Sequence, residues 1–109
     1  MTTTTVAVSH GSDLYGEERR STTQVAALVK QLSQLLPGAD WAHIRAPFDA
    51  ALRGEKAEVE PGHAAQIAIV LRRAAADWLM PTRYEREALL FAEAADRAVG
   101  AGEPWEWST

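Results

Sequence analysis

The stretch Pro61–Met80, PGHAAQIAIVLRRAAADWLM, decides how the rest of the chain is read. Between Ala64 and Leu71 it is apolar on nearly every side, and a helix of that kind has to be covered on nearly every side. Ile67, Leu71, Ala74, Ala75 and Trp78 share a main face at helical spacing, and Ile69 and Val70 widen it. Arg72, Arg73 and Asp77 mark a wet edge. Pro61 sits where a first-turn proline is tolerated, and Pro81 stops the element. The pattern predicts a central helix over 61–80, with elements that are apolar on one stripe only arranged around it.

The 109 residues suit a single globular domain, 1–109, and 47% apolar residues suffice for a core. Alanine is abundant, which favours helix. The absence of cysteine excludes disulfides and thiolate metal sites. No apolar run reaches the ~20 residues that span a bilayer. The start, MTTTTVAVSH, lacks the basic region of a signal peptide. A cytoplasmic protein with no membrane partner is expected. A net charge of −4 argues against a broad nucleic-acid surface, because counterion displacement needs clustered Lys and Arg.

Outward from the central helix, the other elements follow. Residues 3–9 alternate with a period of two, with Val6 and Val8 on one side, as in a short strand. The sequence SHGSDLYGEERR, with its glycines, serines and aspartate, reads as a loop. Ser21-Thr22-Thr23-Gln24 has the form of a capping box, and Val25, Leu28, Val29, Leu32, Leu35 and Leu36 then form one helical stripe, stopped by Pro37-Gly38. Asp40 is placed to cap a second helix with Trp41, Ile44, Phe48, Ala51 and Leu52 inward, and Pro47 is expected to break it or kink it sharply. Glu55–Glu60 is a loop or a two- to three-residue strand. Thr82-Arg83-Tyr84-Glu85 reads as another capping box, opening a fourth helix to about Val99, with Gly100 and Gly102 beyond it. In the tail, Trp105 and Trp107 are two residues apart and share a face if the chain is extended. Two indoles represent too much apolar area to leave in water, so 104–108 is expected to be a strand paired antiparallel with 3–9. The fold class is therefore mainly α (α+β): about four helices around the central one, with a small antiparallel sheet made by the two chain ends.

Candidate functional residues are few. Ser9, His10, Ser12 and Asp13 lie between a strand and a helix, where backbone amides attract anions, and Arg19 and Arg20 follow. Together they would suit a phosphate or carboxylate ligand; the alternative is a turn whose Ser and Asp side chains bond local amides. His10, His43 and His63 show no metal-ligand spacing, so neither a metal nor a cofactor is expected. There is no nucleophile motif, and an enzyme is less expected than a non-catalytic protein. Any apolar stripe left uncovered, for instance Leu89-Leu90 beside Phe91, would favour self-association or an unknown protein partner.

The stretch SHGSDLYGEERRSTTQVAAL, the Ala39-Asp40-Trp41 start of the second helix, the P-x-x-A-x-x-I-A opening at Pro61–Ala68 and the closing Trp105-Glu106-Trp107 together resemble a family of small uncharacterised actinobacterial (Streptomyces-type) proteins. The richness in Ala, Arg and Asp fits a high-GC genome. That resemblance implies an ordered helical domain with a Trp-rich end and carries no activity. The function expected is a small interaction or regulatory protein, homodimeric or bound to a partner. The alternatives are an anion or small-molecule binder, or minor enzyme, at Ser9–Asp13, and third a DNA-associated regulator.

Overall fold

The computed structural model describes residues 5–10 and 18–108. Four strands and four helices follow in the order β1 (Thr5–His10), β2 (Glu18–Ser21), α1 (Thr22–Leu35), α2 (Gly38–Leu52), β3 (Ala57–Val59), α3 (Pro61–Ala75), α4 (Thr82–Ala101) and β4 (Trp105–Ser108). The strands form one antiparallel sheet in the order β2-β1-β4-β3. The two chain ends supply its two central strands, in the register Val8↔Trp107 and His10↔Trp105. Val6, Val8, Val59, Trp105 and Trp107 are buried beneath the helices. Ser9, Arg19, Glu58 and Glu106 lie on the opposite face.

The strand of two tryptophans expected at the C-terminus is therefore present, paired as expected with the first strand. Both ends of the stretch SHGSDLYGEERR, expected as loop, are strand instead: β1 continues to His10, and Glu18–Ser21 pairs with Thr5–Val8 as β2, while residues 11–17 lie outside the described residues. The three-residue option holds for β3.

The core is knit by aromatics. Trp107 stacks on Phe91 of α4 (ring centroids 5.2 Å apart, planes 14° apart) and meets Phe48 of α2 edge-on at 4.8 Å. Trp105 sits edge-on to Trp107 at 5.0 Å, and Trp41 reaches Phe48 at 6.1 Å. Around these rings the helices carry alanines. Ala64, Ala68, Ala74 and Ala75 of α3 and Ala88, Ala92, Ala95 and Ala98 of α4 are buried, and such small side chains let helices approach closely.

The helix expected over 61–80 ends at Ala75 and shares the centre with α4, which touches α1, α3, β1, β2 and β4. The chain leaves α3 because Asp77 offers a competing local bond. Its Oδ1 accepts the Leu79 N–H at 2.9 Å while its carbonyl accepts the Met80 N–H at 3.0 Å. Trp78, expected on the buried face, is 89% exposed as a result.

At the other helix ends, the capping box at Ser21 forms. The Ser21 hydroxyl accepts the Gln24 N–H at 3.1 Å, and Gln24 Oε1 accepts the Ser21 N–H at 3.0 Å. The box expected at Thr82 does not form, since Thr82 is already helical and Pro81 occupies the cap position. Asp40 likewise lies in the first turn of α2, which begins at Gly38. Gly102, at φ 66°, turns the chain from α4 toward β4.

Of the two outcomes expected at Pro47, a break or a sharp kink, the break does not occur: α2 runs on through it. A proline deprives the carbonyl four residues back of its amide donor. That carbonyl belongs to His43, and it accepts instead from Nε2 of His63, in the first turn of α3, at 2.8 Å. The His43 ring lies 5.0 Å from that of His63 and donates from Nε2 to Gln66 Oε1 at 2.7 Å. A side chain from the next helix thus replaces the missing donor. His63→Ala should cost about 1 kcal/mol, an ordinary net hydrogen bond. The loss should shrink in a Pro47→Ala background, where a backbone amide is restored. A double-mutant cycle by urea unfolding measures this, and strict additivity of the two changes would refute the substitution of one donor for the other.

Candidate functional site

The strand alternation separates the residues singled out near the N-terminus. Ser9 points to the open face of the sheet, beside Glu106 and Glu58 in register. There it borders a shallow depression of about 380 Å³ shared with Lys56 and Ser108. Arg19 is on that face as well, opposite Ala7. His10 lies on the helix side, next to Trp105, with its side chain only 10% exposed. Its Nδ1 donates to Oε1 of Glu103, in the segment between α4 and β4, at 3.0 Å. Arg20 also faces the helices: Nε donates to Glu87 Oε2 of α4 at 2.7 Å, and Nη1 to the Arg19 carbonyl at 2.7 Å. Ser12 and Asp13 lie outside the described residues. The four described candidates thus divide between two faces of the sheet, and His10 and Arg20 each take a carboxylate of this chain. Glu87 also borders a cleft of about 310 Å³ between α1 and α4, with Gln24, Arg83 and Tyr84.

The remaining histidines, His43 and His63, come together as described above, a pairing that sequence spacing did not indicate. Among the described residues no three His, Asp or Glu side chains gather around a point where a metal ion could be held.

The described surface has a further chemical feature. Among the described residues, the large apolar side chains that stand exposed are Ile69, Trp78 and Leu79. Leu89 and Leu90, the example of a stripe that would favour association if left uncovered, are half-buried. Trp78 and Leu79 occupy the turn fixed by Asp77, while Met80 beside them is buried. Exposed Arg72 and Arg73 close α3 on one side, and exposed Arg83 and Arg86 open α4 on the other. Arg72 is bonded to Asp96, a contact that raises its pKa above the ordinary value. Arg73 stands at a longer 3.8 Å from Asp40, and the Arg83 guanidinium lies over the Tyr84 ring at 4.7 Å. The turn thus carries an exposed indole between two helix ends that bear exposed arginines.

Fold and surface together define a small α+β domain, helices over one face of a four-stranded antiparallel sheet. The chain belongs to the family of a domain of unknown function, DUF7739, whose model matches residues 11–108. No curated protein and no solved structure matches it. None of the helices among the described residues is long and apolar enough to cross a membrane.

Proposed function

We propose that the protein is a small cytoplasmic interaction or regulatory protein, of actinobacterial origin and without catalytic activity, that meets its partner through the Trp78–Leu79 turn. The observation that carries this reading is the 89% exposure of Trp78 in a chain whose other tryptophans are all buried. Single exposed apolar residues are ordinary on protein surfaces, but an exposed indole held out by a bonded turn is not. The pairing of His10 with Glu103 and of Arg20 with Glu87 supports the same reading, since it commits two of the four described candidate ligand groups to contacts within the chain.

The test places a photo-crosslinking amino acid at position 78 and, as a control, at exposed Ser33 on α1. Irradiation in native cells should give adducts at 78, whether to a second copy, another protein or lipid, several-fold above those at 33. Adducts at the two positions in equal yield would end this reading.

A further inference from the structure

We draw no further inference here: the strongest candidate, the exposed Trp78–Leu79 turn between α3 and α4, belongs to the surface already described, and nothing in the structure shows what covers it.

Discussion

Replacing Trp107 with alanine is expected to cost about 3–5 kcal/mol, the range for deleting a fully buried large aromatic. Domains of this size are stable by about 5–15 kcal/mol, so the variant should be marginal or unfolded. The expectation follows from position. Trp107 is 1% exposed, stacks on Phe91, meets Phe48 and Trp105 edge-on, and lies between Val8 and Ala57 in the sheet. One residue therefore joins α2, α4, both chain ends and β3, and truncating it removes area and leaves a cavity that rigid neighbours cannot fill. Urea unfolding of the two proteins measures the difference. A loss below about 1 kcal/mol would show that the aromatic cluster is not where the stability resides. Trp107→Phe should cost less than alanine. Among the described residues the buried indole N–H of Trp107 has no acceptor, a penalty that phenylalanine removes while it retains a ring for Phe91.

Enlarging Ala92 to leucine should cost about 1–3 kcal/mol through overpacking. Ala92 is completely buried on α4, in line with Ala88 and Ala95, and α4 has α3, α1 and the sheet around it. A branched side chain of four carbons has no room there unless a helix moves. The intrinsic helix propensities of Ala and Leu are similar, so the cost reports packing alone. Calorimetric melting tests it: an unchanged or higher Tm would mean that the helices are not in close contact at that point.

Much of the fold could be read from local pattern. The tryptophans at positions 105 and 107 required a strand with one buried face, and Val6 and Val8 offered it a partner of the same period. The leucine stripe of α1 and its capping box were equally local. What could not be read depended on a partner distant in sequence or on a small competing bond. Pro47 was expected to break α2 or kink it sharply because its remedy, the His63 imidazole, comes from another helix. Trp78 fits the helical spacing of Ile67, Leu71 and Ala74, and only the Asp77 bond to Leu79 takes it off that helix. β2 is an arginine-rich edge strand with no apolar alternation, so composition made it look like loop. As for the candidate sites, extension of β1 by one residue to His10 is enough to place Ser9 and His10 on opposite faces, while Glu103 and Glu87, the partners of His10 and Arg20, emerge only from the packing. The exposed turn was hidden for the same reason that Trp78 was assigned to the core.

The pairing of residue 7 with residue 108 at the middle of the sheet also bears on how the protein is made. A ribosome delivers β1 first and β4 last, so through most of synthesis Val6 and Val8 can pair only with the arginine-rich β2. The rings of Phe48 and Phe91 meanwhile wait for Trp107. The helices can form early from local contacts, but the native core cannot close until residues 105–108 have emerged. Ribosome stalling anywhere upstream of Trp105 would leave a partly helical chain with its central strand open on one side, a species suited to capture by chaperones or to edge-to-edge aggregation.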